Sequence, residues 1–335
     1  MLDQLTRLYE AFYGSERKDI YAFIAGYDWE LDQVRDVITD PRFQELVDVS
    51  LPTDTPSNQR FKANALGTCI ALSGLTFLLS NPTASLYQDA IPFRPMKNRS
   101  HDDWNDLNAH LYMATTARVR LLLEYMGRPL PDPSQIRQLS LGSGEGINEI
   151  FGLHAQPKMT VDGQTVSYNY SLDQPSEITL VDINPQVKRR HDGLSHHFSR
   201  KFPQFNPYTR MLTMDALDTL SPSYHDRSYT LVTMLRYDPH LFNDDIAGFF
   251  SKLSTVIEPG CHFLATIGAG ENTGAWSHRV EKMREIEDIL QNRGLAPLFV
   301  DLTDTGDRST PIWGMVPYTH HMALHCVLDP DILHP

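Results

Sequence analysis

The chain has 335 residues, a formal net charge of −13 and 41 % apolar residues. That is enough to bury the core of one large domain or two smaller ones, and too acidic for a surface that tracks nucleic-acid phosphates. Three scattered cysteines, Cys69, Cys261 and Cys326, exclude a disulfide framework and point to a reducing, cytoplasmic setting.

In chain order, the opening residues Met1-Leu2-Asp3-Gln4-Leu5 carry an early acid and no apolar run of signal-peptide length. Leu2, Leu5, Leu8, Tyr9 and Phe12 recur at helical spacing, and a second helical pattern runs over 28–38. A long helix is predicted over 57–80, between Thr55-Pro56 and Asn81-Pro82. Its apolar stretch, 66–79, is too short to span a bilayer and reads as a buried helix. A further helix over 102–125 is ended by Gly127, with Pro129 and Pro131 beyond it. Nothing here alternates like a strand, so residues 1–128 are expected to form an all-helical cap domain, and they offer surfaces for a homodimer.

From Ile136 the texture changes to short apolar runs separated by helical patterns. Strands are predicted over 138–141, 178–181, 209–213, 229–234, 262–267, 298–302 and 322–328, and helices over 186–202, 246–257 and 276–292. Such alternation predicts an α/β domain over 129–335, built on a mostly parallel sheet covered on both faces. The last two runs have no long helix between them and read as an antiparallel hairpin at the sheet edge.

The first run ends in Leu141-Gly142-Ser143-Gly144-Glu145-Gly146, and the second in Val181-Asp182-Ile183-Asn184-Pro185. Alternate glycines let the backbone turn tightly against a ligand, and an acid at the tip of the next strand suits a ribose diol. Position 147 is Ile, so the spacing is not the G-x-G-x-x-G of dinucleotide-binding loops. Between loop and acid lies an extra segment, 154–176, in which Asp162-Gly163 sits between alternating apolar residues. It predicts an inserted hairpin.

With this glycine spacing, the acid after the second strand and the terminal hairpin, residues 130–330 resemble the class I S-adenosylmethionine (SAM)-dependent methyltransferases. The resemblance implies a Rossmann-like seven-stranded sheet and SAM as cofactor. It implies a cradle of Gly142, Ser143, Gly144 and Gly146 at the start of a helix, with Asp182 on the ribose and Ile183 on the adenine. Asp215 and Ala216, after the third strand, match the family's adenine contacts. The fourth strand ends at Leu235 and Arg236, which complete the cofactor set, and the segment from Arg236 to His240 is expected to face the sulfonium. It is not the Asn/Asp-Pro-Pro-Tyr/Phe motif of nucleic-acid and protein-amide methyltransferases. It supplies His240, Tyr237 and Asp238 as candidate catalytic residues, and the insert supplies Tyr168 and Tyr170. The histidines lack acid or thiol neighbours at metal-ligand spacing, so no metal is expected.

The resulting expectation is a SAM-dependent transferase that methylates an O or N nucleophile of a small molecule in specialised metabolism, with no nucleic-acid or membrane partner. Two alternatives stand beside it. A helical N-terminal domain ahead of Asp182-Ile183-Asn184-Pro185 is also similar to enzymes of the nicotianamine-synthase type, which use the aminocarboxypropyl arm of SAM. That chemistry includes closure of SAM alone to azetidine-2-carboxylate with release of methylthioadenosine. The other alternative is a non-catalytic SAM-fold partner protein, which predicts a degenerate pocket.

Overall fold

The computed structural model describes residues 109–144, 146, 148–162, 165–172, 177–189, 191–192, 209–226, 228–235, 245–269, 273–301 and 320–333. Most of the expected N-terminal cap, including the 57–80 helix, lies outside these. The chain divides into two compact units. One comprises Met1–Arg128, Ile150–Leu172 and Asp304–Pro317; the other comprises Pro129–Glu149, Asp173–Thr303 and Tyr318–Pro335.

In the first unit, helix α1 (Ala109–Tyr125) buries Ala117, Val119, Leu121, Leu122 and Leu123, positions that leave little of its later turns to water. It ends where the sequence predicts. Gly127 adopts φ 73°, its N–H reaches the Glu124 carbonyl at 3.0 Å, and the Arg128 N–H reaches the Leu123 carbonyl at 2.8 Å. This pair of bonds satisfies carbonyls the helix leaves open. Arg120 donates Nη1 to the Leu153 carbonyl at 3.2 Å. The unit also holds the predicted hairpin, β2 (Ala155–Asp162) and β3 (Thr165–Leu172), closed by the pair Asp162↔Thr165.

The second unit is the predicted sheet. Its strands are β1 (Arg137–Leu141), β4 (Glu177–Asp182), β5 (Thr209–Thr213), β6 (Tyr229–Met234), β7 (Ile257–Ala269), β8 (Leu298–Asp301) and β9 (His320–Leu328), in the order β5-β4-β1-β6-β7-β9-β8. Strands β5 to β7 of that order are parallel, and β9 pairs antiparallel with both β7 and β8. This is the Rossmann-like, seven-stranded plan that the resemblance implies. One face carries an apolar core in which Leu139, Val232, Phe263 and Leu324 pack with Phe249 and Phe250 of α3 (Ile246–Leu253) and with Met283, Ile286 and Leu290 of α4 (Thr273–Asn292). The three α4 residues sit at helical spacing on one stripe. The opposite face is also buried but holds polar pairs. Gln138 donates to Thr233 at 2.7 Å, and the rings of His262 and His325 meet at 3.0 Å between Nδ1 and Nε2.

The chain order makes β1 the point where the sheet changes direction, running first to β4 on one side and then to β6 on the other. Ligands of such sheets bind beyond the carboxyl ends of the strands at that point. One expectation fails there. A full helix is expected after the glycine loop, but the segment folds as a six-residue π turn, Asn148–Leu153, and passes straight into β2. Gly152 within the turn and Pro157 shortly after it work against a long helix. No described α-helix lies in the crossover from β1 to β4.

Burial holds three imidazoles, His154, His225 and His262, below their usual pKa, which makes the fold acid-sensitive. Burial and the nearby Arg120 guanidinium push His154 down to about 3 from 6.5, and burial holds His262 below its usual value. A depressed folded pKa means the unfolded chain binds more protons as pH falls, so this stability is complete above the unfolded pKa and lost below it. His154 is expected to cost up to about 1.4 kcal/mol per pH unit between about pH 6.5 and about pH 3. Urea unfolding followed across that window in wild type and His154→Leu checks it. An identical pH slope in the two proteins goes against the assignment.

Candidate functional site

The site forms at the carboxyl ends of β1, β4, β5 and β6. Strands β1 and β4 lie side by side in parallel register, with Leu141 opposite Val181. The loop leaving β1 continues that ladder for one more bond, from the Ser143 N–H to the Val181 carbonyl at 3.0 Å. Gly142, Gly144 and Gly146 then take φ values of 67°, 56° and 81°, a region that side chains with a Cβ rarely occupy. The Gly146 N–H closes the turn on the Ser143 carbonyl at 3.2 Å.

Two glycines serve different purposes. A Cβ on Gly146 would lie 2.5 Å from Leu180 Cδ1, so that glycine lets the loop pack on β4. A Cβ on Gly144 would meet nothing within 4 Å, which leaves open space over the backbone. That open, left-handed position is where a ligand can approach the chain closely.

Asp182 ends β4 and holds the loop. Its Oδ2 accepts the Gly144 N–H at 3.0 Å, and its Oδ1 accepts the Asn184 N–H at 2.9 Å. Its own carbonyl accepts the Met214 N–H at 3.2 Å, which ties in the turn after β5. Each carboxylate oxygen offers two lone-pair sites, so one acceptor site remains on each oxygen after these bonds. Two such sites on one carboxylate match the two hydroxyls of a vicinal diol. Ile183, next in the chain, is 70 % exposed. A large apolar side chain in water beside a carboxylate offers a flat ring something to pack on.

Asp215 follows β5 and caps the short helix α2 (Ala216–Thr219), its Oδ1 accepting the Leu217 N–H at 2.8 Å. Ala216 is buried at the start of that helix, and Leu235 is buried just past β6, the other neighbour of β1. The fold therefore brings Gly142, Ser143, Gly144, Gly146, Asp182, Ile183, Asp215, Ala216 and Leu235 to one edge of the sheet. Arg236, Tyr237, Asp238 and His240 lie outside the described residues. Tyr168 and Tyr170 occupy alternate positions of β3, opposite Met159 and Pro157, in the first compact unit.

Sequence reasoning missed three polar residues around the loop. Ser140, in the middle of β1, is buried and donates its hydroxyl to Oε1 of Glu149, whose side chain is fully buried in the π turn. Oδ1 of Asn148 is buried with no hydrogen-bond partner. The available signal was a serine interrupting an apolar strand and a glutamate set between Ile147 and Ile150.

No family model matches the chain, and no curated protein matches it. Solved structures similar to it include fibrillarin from Aeropyrum pernix with natively bound SAM, 15 % identical over 71 % of this chain and 86 % of that one, with a TM-score of 0.40. Magnesium protoporphyrin IX methyltransferase from Synechocystis PCC 6803, with bound SAH, is 11 % identical over 75 % of this chain and 96 % of that one, with a TM-score of 0.39. The methyltransferase domain of a bacterial Hen1 is 14 % identical over 65 % of this chain and 100 % of that one, with a TM-score of 0.41. At these identities and TM-scores the likenesses carry no argument about function, and the fold stands on the strand order.

The two glycines give a direct check on the loop. Gly144→Ala is expected to carry only the left-handed backbone cost of about 1 kcal/mol. Gly146→Ala adds the clash with Leu180 and is expected to cost about 2–4 kcal/mol. Denaturant unfolding ranks the two variants, and equal losses would refute the packing of Gly146 on β4.

Proposed function

We propose that this protein is a SAM-dependent transferase acting on a small molecule, with methyl transfer to an O or N nucleophile as its reaction. The observation that carries the reading is the Asp182 carboxylate, fixed against the left-handed glycine loop with an acceptor site left on each oxygen. Three further features fit the group. The space above Gly144 admits a ligand, Ile183 offers an apolar surface for a base, and Asn148 holds a buried acceptor that lacks a donor. An ammonium group, such as the one on the methionine arm of SAM, is a donor of the required kind.

When bound, SAM supplies an electrophilic carbon attached to a sulfonium. The protein's own part is to bind, orient and move a proton. In this reading Asp182 fixes the sugar, and Asp215 and Ala216 meet the adenine edge. The segment beginning at Leu235 follows β6 and carries Arg236, Tyr237, Asp238 and His240. In this reading the His240 imidazole removes the proton of an attacking hydroxyl or amine. Holding nucleophile and carbon in line supplies the rest of the acceleration.

The test is incubation of the pure protein with SAM, with products followed by mass spectrometry. S-adenosylhomocysteine formed only with an added acceptor supports methyl transfer. Methylthioadenosine formed from SAM alone transfers support to chemistry of the aminocarboxypropyl arm. No binding of SAM sinks both. Asp182→Ala is expected to weaken SAM binding at least about tenfold, since hydrogen bonds to a charged group contribute about 1.5–3 kcal/mol each. Unchanged affinity would overturn the sugar assignment.

A further inference from the structure

The glycine loop has no full helix behind it. The six-residue π turn Asn148–Leu153 lies between it and β2. A loop of left-handed glycines is loose by nature, because each glycine forfeits more backbone freedom on ordering than any other residue. Asp182 holds the middle of this loop through Gly144. What holds its ends is the bond between Ser140 and Glu149.

These two residues bracket the loop. Ser140 lies on β1 two positions before Gly142, and Glu149 lies three positions after Gly146. Both side chains are fully buried. The bond therefore fastens the entry of the loop to its exit and removes conformations from the segment between them. The choice of a carboxylate is informative. Burying one is costly, and a leucine would fill similar space without that cost. A hydroxyl bonded to a carboxyl oxygen fixes both distance and direction, which a leucine contact does not.

We infer that Glu149 is a positioning residue of the ligand site: through Ser140 it staples the two ends of the glycine loop and so sets the placement of Gly144 on Asp182. It acts on the ligand through the loop and not by contact. The π turn suits this role, since π segments recur at functional sites and here one delivers a glutamate inward immediately after the loop. The identity of the ligand rests on the SAM reading given above; the staple itself does not.

The experiment compares wild type with Ser140→Ala, Glu149→Leu, Glu149→Gln and the double variant Ser140→Ala/Glu149→Leu. Two quantities are read: the Kd for SAM by calorimetry, and amide hydrogen exchange across 142–146 without ligand. Glu149→Leu and Ser140→Ala are each expected to raise the Kd at least about tenfold and to speed exchange at Gly144. The double variant is expected to be no worse than the worse single one, since both break the same bond. Glu149→Gln keeps an acceptor for the Ser140 hydroxyl and is expected to recover most of what leucine loses. Folded variants with wild-type Kd and wild-type loop exchange overturn the inference, as do fully additive losses. If Glu149→Leu fails to fold, Ser140→Ala and Glu149→Gln carry the same test. If wild type does not bind SAM, the SAM reading fails, and exchange at 142–146 still decides the staple.

Discussion

One residue holds the carboxyl edge of this sheet together. Asp182 takes the Gly144 N–H on one carboxylate oxygen and the Asn184 N–H on the other, and takes the Met214 N–H on its carbonyl. The loop after β1, the turn after β4 and the turn after β5 are therefore referred to a single point. None of the three can shift by the length of a hydrogen bond without disturbing the other two. A carboxylate suits this position because it accepts several N–H groups at once and still has acceptor capacity left. Under the proposed reading, the group that would face the ligand is also the group that shapes the loop the ligand would meet.

The amino edge of the same sheet is fastened differently. Arg137, at the start of β1, reaches the Ser228 carbonyl at 2.8 Å and pairs with Glu258. Tyr229 bonds Thr179 at 3.0 Å and His225 at 2.7 Å, linking the first residues of β6 to β4. His225 thus bridges two elements, its Nδ1 meeting the Tyr229 hydroxyl and its Nε2 facing the Thr219 carbonyl. These bonds stitch strand to strand with side chains. At the carboxyl edge the stitching runs from side chain to loop backbone instead, which leaves the loop N–H and C=O groups as the elements being positioned. The difference follows from what each edge has to present.

Most strands of the sheet were legible as short apolar runs bounded by turn residues, and β5 and β6 fall where the pattern places them, whereas β7 extends past the predicted 262–267 at both ends. The hairpin was legible from Asp162-Gly163, and the edge arrangement of β8 and β9 from the missing helix between them. The acid at the tip of β4 was legible from its place after an apolar run. Its hold on the loop was not, because capping a turn and the proposed contact with a diol look like competing readings of one aspartate. The geometry makes them compatible, since backbone N–H groups use only part of the carboxylate. The missing helix after β1 was illegible because Asn148 to Leu153 carries apolar residues at spacings a helix would also show. The Ser140 and Glu149 pair was illegible for another reason. Its partners are nine positions apart in sequence, and only the turn between them brings the two side chains together. The His262 and His325 contact likewise depends on the register of β7 with β9, which no local pattern encodes.

The arrangement separates recognition from reaction. The glycine loop, Asp182, Asp215 and Ala216 come from the ends of β1, β4 and β5. Under the proposed reading they meet the nucleoside and amino-acid parts of SAM, which are the same whichever carbon is attacked. Methyl transfer and use of the aminocarboxypropyl arm place identical demands on them. The two reactions differ in what must stand beside the sulfonium. One needs a nucleophile from a second molecule and a base for its proton. The other needs the ammonium of the same SAM deprotonated and turned back toward its own chain. In that reading the distinction falls to the candidate catalytic residues, those of the Arg236–His240 segment and Tyr168 and Tyr170 of the insert. Under that reading, a change in the loop or in Asp182 would shift both reactions together through binding, whereas a change among the candidate catalytic residues would alter one without the other. Product identity, and not affinity, is the quantity that assigns the chemistry.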